Sequence, residues 1–176
     1  STRARVHLCR ISSAEGVALV RAAKAEGLPV TADVSINSLH LSDHDMGYFD
    51  SRARLTPVLR QQRDRDALQA ALADGTIDVL VSDHTPVDND AKALPFAQAE
   101  PGATGLELLL GLALKWGDES GAGLMRALEV ITAKPAHLLP EAADLGLGQI
   151  KTGGVADIVV FDPAQTWQVQ PQALHS

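Results

Sequence analysis

Asp83 and His84 are the side chains best placed for chemistry in this 176-residue sequence. They follow Ile77–Val81, a run that is apolar except for Asp78 and that predicts a short strand buried on both faces, as in a parallel sheet. Functional groups of parallel α/β proteins lie at the carboxyl ends of the strands, so Asp83 is a candidate catalytic or metal-binding residue. The alternative is that Asp83 only caps a loop.

Other potential metal ligands lie elsewhere in the sequence. One group, in a long polar segment, consists of His40, Asp43, His44 and Asp45. It lacks the fixed spacing of a known metal site, which predicts solvent-exposed loop residues. Cys9 lies on a predicted strand and is interpreted as a small buried residue rather than a nucleophile.

Composition excludes several classes of partner. The net charge is −7 and there is no basic block, which argues against nucleic acid or an acidic membrane surface as a partner. No uninterrupted apolar run is long enough to span a membrane, and no secretory signal is recognisable at the N-terminus. The single cysteine cannot form an internal disulfide, which predicts a reducing, cytoplasmic location.

The elements that must position Asp83 alternate between strand and helix. Val6–Cys9 and Leu28–Val34 are predicted strands, and the helix between them ends at Gly27. This helix is expected to begin with a capping box made by Ser12 and Glu15. A second helix over 64–74 precedes the Asp83 strand, so the order is typical of βαβ units in a parallel sheet.

The second half of the sequence predicts helices and then a small β region. Gly105–Trp116 is apolar almost all round, which indicates a buried helix. Leu124–Thr132 is predicted to be helical, with a further turn at 134–137. After Pro140 glycines punctuate short segments, and Ile158–Phe161 is predicted to be a strand.

Three motifs in the same order resemble those of a known family. They are Thr-Ile-Asp-Val-Leu-Val-Ser-Asp-His-Thr-Pro at 76–86, Pro-Phe through Pro-Gly-Ala-Thr-Gly-Leu-Glu at 95–107, and Gly-Gly-Val-Ala-Asp-Ile-Val-Val-Phe-Asp at 153–162. The sequence is similar to the dihydroorotases of the amidohydrolase superfamily. The resemblance implies a metal-dependent TIM (β/α)8 barrel with a small β-sandwich domain.

By this resemblance the chain is expected to be a fragment of a longer protein, cut at both ends. It corresponds to barrel strands six to eight and part of the sandwich. Residues 1–139 are expected to form the C-terminal part of the barrel, and residues 140–176 the part of the β-sandwich domain.

The resemblance also implies what stands at each functional position. Asp83 matches the strand-eight Asp that is both zinc ligand and general acid/base, and Arg10 stands where active relatives have the strand-six His ligand. Thr56 and Val87 stand where relatives have a substrate-binding Asn and a substrate-binding His. The segment 35–39 lacks the histidines that relatives carry after strand seven.

These replacements predict a noncatalytic dihydroorotase-like protein of pyrimidine biosynthesis, because amide-ring hydrolysis needs a metal to activate water. The resemblance to noncatalytic homologues implies a role in assembling aspartate transcarbamoylase. No cofactor is expected in this chain, where active relatives hold zinc. The alternatives are an active zinc-dependent dihydroorotase and another cyclic-amide hydrolase.

Two physical expectations accompany this interpretation. Arg10 is predicted to replace the metal by pairing with Asp83 through two-point contacts. A partial barrel exposes strand edges and apolar faces, so the fragment is predicted to self-associate.

Overall fold

Three short parallel strands form the centre of the computed structural model, which describes residues 4–175. The strands are β1 (Val6–Leu8), β2 (Val30–Ser35) and β3 (Val79–Val81), and they lie side by side in the order β1-β2-β3. Val6 pairs with Val30, and Val34 pairs with Leu80. The predicted parallel βαβ arrangement is therefore confirmed.

Helices connect and cover the strands. They are α1 (Ala14–Ala25), α2 (Ile36–His40), α3 (Gln62–Asp74), α4 (Asn89–Lys92), α5 (Leu109–Glu119), α6 (Gly123–Glu129), α7 (Ala133–Leu138) and α8 (Pro140–Leu145). Short 3₁₀ turns occupy Asp43–Met46, Ser51–Ala53, Leu106–Leu108 and Pro171–Ala173.

The apolar core lies between the sheet and these helices. Val34 and Leu80 from the strands meet Leu72 of α3 and Trp116 of α5, and each of the four is at most 2% exposed. Burying large apolar side chains of this kind stabilises a fold by about 1.5–3 kcal/mol each. This layer holds the strands in place, so the residues that follow each strand are presented at one edge of the sheet.

The N-terminus of α1 differs from the predicted capping box. Ser13, not Ser12, is the N-cap, and its Oγ accepts a hydrogen bond from the Gly16 amide at 3.1 Å. The Ala14 amide donates to Asp64 Oδ1 of α3 at 2.9 Å. The buried carboxylate of Asp64 thus accepts the hydrogen bond of an amide in the first turn of α1, which a capping side chain near that turn would otherwise accept.

α5 is buried on one side only, so the prediction of all-round burial is wrong. Ala113, Trp116 and Gly117 are buried, whereas Gly111 is exposed. Leu106, predicted to lie in this helix, belongs to the preceding 3₁₀ turn and is 61% exposed. The helix packs against α2 and α6.

The predicted strand over Ile158–Phe161 is not formed. These residues are irregular, and Val159 and Val160 are 78% and 93% exposed. A β-strand needs a neighbouring strand for its ladder of hydrogen bonds, and the described part of this chain supplies none there. No helix within residues 4–175 has the length and apolarity needed to cross a membrane.

Candidate functional site

The site is built at the carboxyl ends of β1 and β3. Arg10 and Asp83 each lie two residues beyond the end of their strand, and both adopt left-handed backbone conformations, with φ of 57° and 48°. Residues other than glycine rarely adopt this region, and such outliers cluster at functional sites. Here the left-handed turns accompany side chains that meet across the strand ends.

Arg10 joins three segments at this edge of the sheet. Its Nη1 lies 3.3 Å from Asp83 Oδ1 and donates to the Thr56 carbonyl oxygen at 3.2 Å. The Asp83 side chain is 11% exposed and that of Arg10 is 43% exposed. The guanidinium therefore compensates the charge of a largely buried carboxylate, through one contact rather than the predicted two.

A second polar group lies on the strands behind Arg10. His7 Nε2 contacts Asp33 Oδ2 at 2.9 Å, and His7 Nδ1 contacts Thr31 Oγ1 at 2.8 Å. The Arg10 amide donates to Asp33 Oδ1 at 2.7 Å. Asp33 is buried and is fixed by both β1 and the turn that carries Arg10, so the backbone of that turn is held as well as its side chain.

His84 is turned away from Asp83. Its Nδ1 accepts hydrogen bonds from the Gly105 and Leu106 amides, both at 3.2 Å, which requires that this nitrogen carries no proton. The imidazole thus anchors the loop after β3 to the start of the 106–108 turn. Its role is structural.

Two glycines allow these loops to meet. Gly102 has a positive φ of 149°, and a Cβ there would collide with the Thr85 carbonyl oxygen and come within 2.8 Å of Val87 Cγ2. A Cβ on Gly105 would collide with the Ser82 carbonyl oxygen. The motif at 95–107 therefore serves to close the loop that carries Asp83.

A cavity of about 230 Å³ opens beside the ion pair. Its lining includes Arg10, Asn37, Thr56, Asp83, Thr85 and Gly102. A larger cavity of about 730 Å³ lies between α5 and the segment 163–169, away from the strand ends. We place the site at the smaller one, because its lining contains the ionisable groups that the strand ends present.

Thr56 and Val87, predicted at substrate-binding positions, differ in their placement. Thr56 lines the cavity and contacts Arg10 through its carbonyl oxygen. Val87 lies near Gly102 in the loop packing, where its apolar side chain offers no hydrogen bond to a ligand.

The predicted surface group around His40 separates into two parts. His44 is 83% exposed beside Asp43, as a loop residue should be. His40 instead lies half-buried, with Nε2 3.0 Å from the Leu112 carbonyl oxygen, so its surface assignment is wrong. Burial, opposed by this hydrogen bond, lowers the pKa of His40 below its usual 6.5. Cys9 is exposed, and the prediction that it is buried is also wrong.

The zinc that the resemblance implies does not fit the residues at the strand ends. A catalytic zinc site uses about three protein ligands with free lone pairs. Arg10 has none, and its fixed positive charge lies against Asp83, the residue that the resemblance places at a ligand position. A dication at this position would have to compete with the guanidinium for the single carboxylate of Asp83.

Comparison with known proteins agrees with this architecture. The family model described as "Amidohydrolase family" matches residues 1–176. An L-hydantoinase (dihydropyrimidinase) of known structure from Arthrobacter aurescens superposes with a TM-score of 0.76 and 28% identity, over 86% of this chain and 34% of its own. The fold is thus an α/β part of the (β/α)-barrel fold of the amidohydrolases.

Sequence relatives narrow the assignment. A dihydroorotase from Trichlorobacter lovleyi is 38% identical over 173 residues, covering 98% of this chain and 40% of the relative. A dihydroorotase-like protein from Pseudomonas putida is 41% identical over 159 residues, covering 90% and 37%. The chain spans about two fifths of the length of these relatives. It belongs to the dihydroorotase family within the amidohydrolase superfamily.

Proposed function

We propose that the chain belongs to a noncatalytic dihydroorotase-like protein of pyrimidine biosynthesis, which supports the assembly of aspartate transcarbamoylase in the cytoplasm. The observation that carries the proposal is the contact of 3.3 Å between Arg10 Nη1 and Asp83 Oδ1, at the position where active relatives hold zinc. Dihydroorotase-like relatives such as the one from Pseudomonas putida support it as well.

The chemistry of cyclic-amide hydrolysis explains why this contact matters. The reaction needs a metal to activate water, a base to take the proton of that water, and donors that hold an anionic substrate. Asp83 keeps the base position, but Arg10 occupies its carboxylate. Neither the exposed Thr56 nor Val87 offers the amide or imidazole that relatives use to hold substrate.

The proposed partner role rests on the resemblance to noncatalytic homologues, and the surface of the chain is compatible with it. β1 is an edge strand whose Val6 and Leu8 are 44% and 38% exposed. Exposed strand edges with apolar side chains tend to be covered by another chain. We expect the chain alone to self-associate for this reason.

The test uses the full-length protein that contains this chain, supplied with zinc and assayed for dihydroorotate hydrolysis. We expect no turnover above background. The zinc content should be the same in Asp83→Ala as in the original protein. Asp90→Asn, at an exposed position in the short helix α4, is the matched control. Turnover that disappears with Asp83→Ala but survives Asp90→Asn would show that the noncatalytic assignment is wrong.

A separate measurement addresses assembly. Aspartate transcarbamoylase from the same organism is analysed by native mass spectrometry with and without the full-length protein. We expect a complex that contains both proteins and that does not form from either alone. Unchanged transcarbamoylase oligomers at micromolar concentrations of both would contradict the partner role without affecting the noncatalytic assignment.

The second candidate function is an active zinc-dependent dihydroorotase, or another cyclic-amide hydrolase. It is favoured by the retention of Asp83, which lines a cavity beside the strand ends, and by the relatives that are dihydroorotases and hydantoinases. In this case hydrolysis of dihydroorotate or of a hydantoin would require zinc and Asp83. The same assay, run with both substrates, separates the two functions.

A further inference from the structure

Three different metal-ligating groups converge on β1 and β2, behind the Arg10–Asp83 contact. They are His7, Cys9 and Asp33, whose ligand atoms all lie within 4.8 Å of one another. We infer that these three residues form a transition-metal site suited to Zn²⁺, distinct from the zinc position at Asp83. Imidazole nitrogen, thiolate sulfur and carboxylate oxygen are the ligands that zinc uses in proteins.

The strand register produces this convergence. His7 is paired with Thr31, and Leu8 with Ala32, so Cys9, the first residue after β1, follows in register with Asp33 of β2. Alternation along β2 sends Ala32 and Val34, both fully buried, toward the helices and Asp33 to the other face of the sheet. His7 and Cys9 share that face because they are two residues apart on an extended segment.

Hydrogen bonds already orient two of the ligands. The Arg10 amide holds Asp33 Oδ1 at 2.7 Å, which leaves Oδ2 for a metal. Thr31 Oγ1 holds His7 Nδ1 at 2.8 Å, which leaves Nε2. A hydroxyl both donates and accepts, so Thr31 can keep this contact when the imidazole proton moves to Nδ1. Supporting contacts of this kind orient the ligands of zinc sites.

Zinc geometry requires the ligand atoms to move relative to one another by roughly 0.4–1.3 Å. In a tetrahedral site with zinc bonds of about 2.0–2.3 Å, ligand atoms lie about 3.3–3.6 Å apart. His7 Nε2 and Asp33 Oδ2, now 2.9 Å apart, would open by roughly 0.4 Å to reach that spacing. The exposed Cys9 Sγ, which lies within 4.8 Å of both other ligand atoms, would move closer to them by up to about 1.3 Å. Solvent or another ligand would occupy the fourth position.

Charge also favours this site over the strand ends. A Cys9 thiolate and the Asp33 carboxylate together neutralise a dication, whereas Asp83 already shares its charge with Arg10. Binding releases the thiol proton of Cys9 to solvent, and His7 binds through Nε2 as a neutral imidazole whose one proton is on Nδ1. Without metal, the same His7–Asp33 contact is an ordinary histidine–carboxylate pair, which zinc must displace.

The experiment uses the 176-residue chain, freed of metal with a chelator and carrying no histidine tag, and titrates it with Co²⁺ alone. The chain contains one cysteine, so a thiolate-to-cobalt charge-transfer band in the near ultraviolet reports Cys9 directly. We expect the band to saturate at one equivalent. Zn²⁺ should remove it by displacing the cobalt.

Variants decide the ligand set, and circular dichroism checks that each one is folded. Cys9→Ser, at an exposed position, should abolish the band, and His7→Gln and Asp33→Asn should weaken binding at least tenfold. His44→Gln and Asp83→Asn should bind cobalt as the original chain does. The proposal is overturned if no thiolate band forms, if the band persists unchanged in His7→Gln, or if Asp83→Asn abolishes it.

Discussion

Breaking the Arg10–Asp83 contact tests whether the guanidinium stabilises the strand ends. Arg10→Met keeps the length of the side chain and removes its charge, and Asp83→Asn keeps the shape of the carboxylate. We expect each single variant to be less stable than the original chain. The double variant should be more stable than the sum of the two single losses of stability predicts. Each single change leaves the partner's charge unpaired, whereas the double change removes both charges.

The expected coupling follows from the geometry. Two unit charges at 3.3 Å attract by about 1.3 kcal/mol in water and about 5 kcal/mol at an effective dielectric constant of 20. Arg10 is 43% exposed, so solvent screening brings the value toward the lower limit. Ordering the arginine side chain costs up to about 2 kcal/mol. We therefore expect a coupling free energy of about 1 kcal/mol, at the upper end for exposed pairs.

Urea unfolding of the four proteins at pH 7 gives this coupling. The Arg21–Asp74 pair between α1 and α3 is a matched control, since its side chains are 54% and 49% exposed and should couple by less than about 0.5 kcal/mol. A coupling for Arg10 and Asp83 that is indistinguishable from zero would refute the idea that the arginine replaces the metal electrostatically.

Three further expectations concern packing, pH and association. Gly105→Ala should lower the free energy of unfolding by about 1–3 kcal/mol in urea, because its Cβ collides with the Ser82 carbonyl oxygen. The control Gly111→Ala, where a Cβ meets open space, should be neutral or stabilising. Equal effects of the two substitutions would contradict this prediction. Burial lowers the pKa of His40, so the unfolded state binds more protons than the folded state. The free energy of unfolding should therefore fall as pH drops below about 6.5. His40→Gln should lose that pH dependence, and an unchanged pH profile would exclude His40 as its source. The chain should self-associate in light scattering at micromolar concentration, and a monodisperse monomer would count against uncovered strand edges.

The βαβ order could be predicted from sequence because each strand is encoded locally. β3 has an uninterrupted apolar run, and Gly75 in a left-handed conformation ends α3 just before it. The tail could not be predicted in this way. Ile158–Phe161 has the composition of a strand, but a strand also needs a partner, and the described residues provide none.

The candidate site could be predicted from the sequence only in part. The meeting of Arg10 and Asp83 could be expected because they follow strands that resemble strands six and eight of one barrel, whose carboxyl ends open to the same side. Its single contact could not, because it depends on left-handed turns at both residues that composition does not signal. The group formed by His7, Cys9 and Asp33 depends on strand register, and the two-residue spacing of His7 and Cys9 alone is too common to reveal it.

The irregular tail should be the part of the chain most susceptible to proteolysis. Between α8 and the final 3₁₀ turn, Ile150 and Ile158–Val160 are more than half exposed, and no sheet ladder protects the backbone there. A protease needs an extended, accessible stretch of about this kind, so nicking should concentrate in this segment. The amide hydrogens of the same stretch should exchange with deuterium long before those of β2.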